Sequence, residues 1–136
     1  TSVGVEWARK PIYAADDRAT HIAVDDIGNA IVGGQFMRSS NGMTWGSVYS
    51  NSCSNHGSRG FYVTKVSTAG TVGWAEWFCS TSSSTSYHHD LRSLNVTGST
   101  LMIGASGRYN MRMVGSNSYS SCSVDSKLSN TLKIDL

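Results

Sequence analysis

No block of like charge runs through this chain. Eleven Lys and Arg stand against nine Asp and Glu, a net charge of +2, and the basic residues are scattered. A nucleic-acid backbone calls for a basic patch or stripe, so nucleic acid is not expected as a partner. Uninterrupted apolar runs long enough for a membrane-crossing helix are also missing, and no membrane span is expected. No segment of useful length carries the 3.6-residue period of an amphipathic helix. Proline occurs once, at Pro11, while glycine occurs 14 times among many Ser, Thr and Asn. With 39% hydrophobic residues, that composition describes an ordered, turn-rich, all-β protein rather than a disordered one.

Catalytic signatures are lacking too. The nearest approach to a nucleophile elbow, Gly104-Ala105-Ser106-Gly107, is one residue short of the Gly-x-Ser-x-Gly spacing. The three cysteines, Cys53, Cys79 and Cys122, show no Cys-x-x-Cys spacing, which argues against redox catalysis. Asp16-Asp17 and Asp25-Asp26 do not form an Asp-x-Asp-x-Asp-Gly calcium loop and read as turn-stabilising pairs. Nine acids offer no pair placed for glycoside cleavage. No enzyme activity, cofactor or metal is therefore expected.

What the chain does contain is itself, twice. Val24-Asp25-Asp26-Ile27-Gly28-Asn29-Ala30-Ile31-Val32-Gly33-Gly34 returns 70 residues later as Leu94-Asn95-Val96-Thr97-Gly98-Ser99-Thr100-Leu101-Met102-Ile103-Gly104. The same offset superposes Glu6-Trp7 on Glu76-Trp77, Arg38 on Arg108, Met43 on Met113 and Tyr49-Ser50 on Tyr119-Ser120. A fixed period marks stacked copies of one supersecondary unit. The 136 residues thus form one β domain of two repeats, about 1–70 and about 71–136. In copy one, β-rich runs cover 3–9, 21–24, 30–36, 61–66 and 72–78, with Gly- and Asn-bearing turns at 25–29 and 67–70 and a long loop at 37–59. In copy two the runs are 91–95, 100–105 and 131–136, with a long loop at 107–130. Each copy is expected to be a four-stranded antiparallel meander, with Gly28 and Gly98, and Trp7 and Trp77, at equivalent sites.

Val24-Asp25-x-x-Gly28-Asn29-x-x-Val32-x-Gly34, followed by Tyr62-Val63-x-Lys65-Val66 and Gly70-x-x-x-Trp74, resembles the bacterial-type β-propeller repeat, whose pattern runs A-V-D-x-x-G-N-x-x-V-x-G, F-V-x-K-L, G-x-x-x-W. Copy two departs from it: Asn95 stands for the Asp, Ser99 for the Asn, and Lys133-Ile134-Asp135 blurs the Lys strand. The resemblance implies blade-like sheets with long insertions and names no substrate. Propellers close with about four to eight blades, which two copies cannot do alone. By internal alignment Leu136 falls on Val66 and Thr1 on Thr71, so residues 3–9 and 131–136 correspond to the two strands of one hairpin. They are expected to pair across the termini or between chains.

Those strands, carrying Val3, Val5, Trp7, Leu132, Ile134 and Leu136, make the leading expectation an assembly protein whose subunits oligomerise or polymerise head-to-tail. The alternative is a lectin: two-blade chains forming a closed ring and binding glycans between blades, as small two-repeat propeller lectins do. Strand order places the turns on one rim and the loops, the cysteines and residues 81–90 on the other, the rim expected to bind. Its candidates are Trp45, Tyr49, Tyr109 and Tyr119, suited to sugar stacking, to a protein interface, or to anchoring the loops. His88 and His89, with Asp90, form the one cluster resembling a metal set; solvated loop residues are the preferred reading, because adjacent side chains of an extended segment point apart. An odd cysteine count, the sequon Asn95-Val96-Thr97 and the Ser/Thr run at 81–85 suggest an extracellular, glycosylated protein. Cys53–Cys79 is the favoured pair, leaving Cys122 free or cross-linked between chains. The start at Thr1, without Met or signal peptide, reads as a processed or partial chain.

Overall fold

The computed structural model describes residues 7–8, 17–37, 43–45, 49–51, 59–80, 88–107, 111–115 and 129–135. Ten strands follow in order: β1 Arg18–Val24, β2 Ala30–Met37, β3 Met43–Trp45, β4 Tyr49–Asn51, β5 Arg59–Val66, β6 Val72–Ser80, β7 His89–Thr97, β8 Thr100–Gly107, β9 Met111–Gly115 and β10 Ser129–Asp135. Every regular element among the described residues is a strand, and the all-β class stands. There is accordingly no helix among them long and apolar enough to cross a membrane.

The first sheet runs β1-β2-β5-β6-β9, the second β10-β8-β7, and β3 with β4 forms a separate ribbon; all the ladders are antiparallel. Copy one is thus the expected four-strand meander β1-β2-β5-β6. Copy two is a three-strand version of it, with β7, β8 and β10 standing where copy one has β1, β2 and β5. The segments expected as long loops contain strands: β3 and β4 pair with each other, while β9 leaves copy two and adds to the edge of β6. A strand at residues 3–9 is not seen in the part of it that is described, since Trp7 and Ala8 lie outside any strand.

The two sheets pack face to face. Ile31, Phe61, Val63 and Phe78 of the first meet Leu91, Leu101, Ile103 and Ala105 of the second, with Leu132 and Ile134 packed against them. Alternation sets these faces, because successive side chains of a strand point to opposite sides. Leu91, Leu94 and Val96 break that period by one residue. A bulge at Arg92, where the register slips between Leu91 and Ser93, returns all three to the core side. Thr20 makes a matching bulge in β1, and the two bulges touch: His21 Nε2 donates to the Arg92 carbonyl at 3.1 Å, while Thr20 Oγ1 lies 2.8 Å from Nδ1. The far face of the first sheet buries a second cluster of Phe36, Tyr62, Ala75, Trp77 and Cys79. Burial, with the charge of Asp17, raises the Tyr62 hydroxyl to about 12.

Gly28 and Gly98 sit in equivalent hairpins with φ of 87° and 57°, the left-handed region that glycine enters at little cost. The hairpins are not alike in length. Val24 pairs with Ala30 around a five-residue turn, whereas Thr97 pairs with Thr100 around two residues. Asp25 explains the longer one. Its carboxylate accepts from the Asn29 amide N–H at 2.8 Å, the Asn29 Nδ2 at 2.8 Å and the Ile27 N–H at 3.2 Å, and pairs with Lys65 Nζ of β5 at 3.0 Å. The Asn29 side chain and Lys65 hold the Asp25 carboxyl at about 2, against the opposing pull of desolvation. A depressed carboxylate contributes stability that is present above its unfolded value of 3.8 and is lost as pH falls through about 2. Asp25→Asn should therefore flatten the acid limb of the stability–pH curve between those values, read by denaturant unfolding across that range. An unchanged limb would show that other carboxylates govern acid unfolding.

Trp7 and Trp77 are not equivalent. Trp77 is fully buried in the second cluster, while Trp7 is half-buried against the 67–70 turn, its indole donating to the Thr68 carbonyl at 3.0 Å. Gly70 makes that contact possible: a Cβ there would meet the Trp7 ring at 2.7 Å.

Candidate functional site

Ladder order places the turns 25–29, 67–70 and 98–99 at one rim and the starts of β1, β5, β7 and β10 at the other. Between the 25–29 and 98–99 turns lies a cleft of about 250 Å³, lined by Asp25, Asp26, Ile27, Lys65, Gly98 and Ser99. The ion pair there between described residues, Asp25 with Lys65, already serves the turn.

The outer side of the second sheet carries the geometry most relevant to assembly. Among the described strands β10 has a single neighbour, β8, in register from Ser129 opposite Ser106 to Asp135 opposite Thr100. In copy one the corresponding strand, β5, has neighbours on both sides, β2 and β6. The position beside β10 that matches β6 holds no described strand. Leu132 and Ile134 are not free to meet a partner: their side chains point inward onto the sandwich core, so any pairing here is through the main chain. The outward face of this sheet is polar, with Ser93, Asn95, Thr97 and Lys133 exposed. Asn95, the sequon residue, lies on β7 opposite Met102 and is open to solvent.

At the loop rim the histidines separate. His88 is exposed and forms an isolated parallel bridge with Arg59, whereas His89 is 2% exposed and faces the space between the sheets. His89 is therefore no surface binding residue. Burial, the larger influence, lowers its pKa; Asp90 opposes this and His88 adds to it. Asp90 accepts from Gln35 Nε2 at 3.1 Å and from Arg92 at 3.0 Å, and Arg92 Nε donates to Ser106 Oγ at 2.7 Å. No group of three or more metal-ligating side chains occurs among the described residues.

Trp45 and Tyr49 are register partners in the backbone ladder at the closing end of the β3–β4 ribbon. Tyr109, Tyr119, Val3, Val5 and Leu136 lie outside the described residues. Cys79 is buried at the loop-rim end of β6. Cys53 and Cys122 lie outside the described residues, and no disulfide joins two described ones. Of the exposed large apolar side chains, Ile22 and Val24 stand on edge strand β1 and Ile27 in its turn; none of them is among the binding candidates read from the sequence.

Comparison with protein-family models, curated proteins and solved structures finds no match to this chain.

Proposed function

We propose that the chain is an extracellular assembly subunit of blade-like repeats, joined head-to-tail by main-chain pairing along β10. One observation carries this reading: among the described residues the second sheet has three strands where its repeat has four, and the place without a described strand lies beside β10. Internal alignment names the occupant as residues 3–9, because Glu6-Trp7 matches Glu76-Trp77 of β6. In a neighbouring copy that segment supplies the fourth strand, satisfying a ladder edge that proteins otherwise protect. Donor and acceptor surfaces differ, so the contact repeats into a ring or a fibre.

The closed propeller lectin is the second reading. The polar outward face of the second sheet favours the first, since a ring of blades packs each sheet on both faces and this one is faced by exposed Ser93, Asn95, Thr97 and Lys133.

Sedimentation velocity at rising concentration, with electron microscopy, should show growing oligomers. A synthetic peptide of residues 2–10, added in excess, should cap β10 and return the population to monomers. Deleting 131–136 is a poorer test, because it also strips Leu132 and Ile134 from the core. Two results sink the proposal. One is a monomer at high concentration. The other is an oligomer that ignores the peptide but dissolves on Ile22→Lys with Val24→Lys, which would place the contact on β1.

A further inference from the structure

The loop rim holds a second feature, independent of β10. Arg18 of β1 pairs in register with Gln35, and Arg59 of β5 pairs with Met37. Partners in a ladder share a face, and Gln35 and Met37 are two apart on β2, so all four side chains rise from the same side of the sheet. Their contacts agree: Gln35 reaches Asp90 across the sheets, and Arg59 Nε donates to Met37 Sδ at 3.2 Å. Strand spacing puts the two arginine Cα atoms roughly 10 Å apart across β2 and about two residues apart along it. Two extended guanidinium arms can close that gap over the end of β2. A small cleft of about 80 Å³ lies there, lined by Arg18, Gln35, Phe36, Met37 and Arg59.

Among the described residues the charges do not cancel: Asp90 is the carboxylate facing this end of the sandwich, and Arg92 and Gln35 already occupy it. Asp17, beside Arg18, belongs to the opposite face, where its charge acts on Tyr62. Arg18 makes no ion pair or side-chain hydrogen bond with any described residue, and Arg59 spends only its Nε, on a sulfur. No described residue takes the paired terminal nitrogens of either group, which leaves them as donors in the geometry that suits two-oxygen acceptors.

We propose that Arg18 and Arg59 form a two-guanidinium clamp for an oxyanion, a carboxylate or a phosphate, with Met37 as its apolar wall. The site is selective for charge before shape. It is built by three adjacent strands of one sheet and does not depend on assembly through β10.

The test is side-chain NMR of the arginine Nε–H groups during titration with inorganic phosphate, sodium glucuronate and, as a neutral control, glucose. Phosphate or glucuronate should shift the Arg18 and Arg59 signals saturably, and glucose should not. Arg18→Gln and Arg59→Gln should each weaken binding about tenfold, and raised salt should weaken it further. Arg59→Lys, which keeps the charge but loses the fork, should recover only part of the loss. Phosphate alone would assign a tetrahedral anion, and glucuronate alone a carboxylated sugar or acidic chain. No saturable shift with either anion overturns the clamp. So does equal binding of glucose, or binding untouched by both glutamine variants in chains whose melting temperature is unchanged.

Discussion

Phe78→Ala should lower the unfolding free energy by about 4 kcal/mol. Phe78 is fully buried and stacks on Phe61, its ladder partner, with ring centroids 4.4 Å apart and planes within 10°. Both rings also belong to the cluster that receives Leu91, Leu101, Ile103 and Ala105 from the second sheet. Truncation removes a large buried side chain, leaves a cavity between sheets whose strands are fixed by ladders on either side, and costs the stacked pair. Phe78→Leu should cost less than half as much, because most of the volume is kept. Denaturant midpoints with unchanged slope would measure both effects. A loss below about 1 kcal/mol for the alanine variant would show that the two repeats do not share one core.

That shared core was legible as two alternating patterns and not as a packing. In copy one the Asp-x-x-Gly-Asn motif and the later Lys were readable because each is a local instruction. Asp25 caps the turn, Gly28 bends it, Asn29 answers Asp25, and Lys65 arrives from β5 to neutralise it. In copy two Asn95 and Ser99 replace the first and third together, and the turn shortens to two residues. The substitutions that blurred the motif thus mark a real change of hairpin. Asn95 ends up on an exposed strand rather than in a turn.

Where letters matched but partners did not, the sequence misled. Trp7 and Trp77 share a preceding glutamate and an offset, yet one lies on a turn and the other in a sealed cluster. Identity of a residue does not carry identity of its neighbours, which come from elsewhere in the chain. The strands inside the long loops were missed for the same reason. Met43 and Met113 are equivalent by alignment, but β3 pairs with β4 and β9 with β6, a choice made by what edge lies within reach. His88 and His89 do point apart, but they are not a pair of solvated loop residues, because His89 is buried on β7. Which of them would be buried depended on the sheet packed opposite, and adjacent residues gave no sign of it.

Acid should loosen this sandwich well before its carboxylates titrate, and His89 should be the cause. Its ring is 2% exposed, its Nε2 has no hydrogen-bond partner, and it lies against Gly107, where an added Cβ would collide with Nδ1. The charged and titratable neighbours offer little help to an imidazolium. Asp90 favours it but is held by Gln35 and Arg92, while His88 disfavours it. Burial therefore sets the folded pKa below the ordinary 6.5. Below 6.5 the unfolded chain takes up the proton first, so the stability His89 allows is fully present above 6.5 and is lost as pH falls through the folded value. The slope for one proton approaches about 1.4 kcal/mol per pH unit. Asp25 acts only below 3.8, whereas the loss through His89 begins at 6.5. His89→Leu, similar in bulk and unable to titrate, should hold its stability between about pH 7 and about pH 5 where the parent chain loses it. The remaining histidines are common to both chains, and the difference between the two curves isolates position 89. Parallel curves would show that His89 is satisfied when protonated, and that the acid response of the fold lies elsewhere.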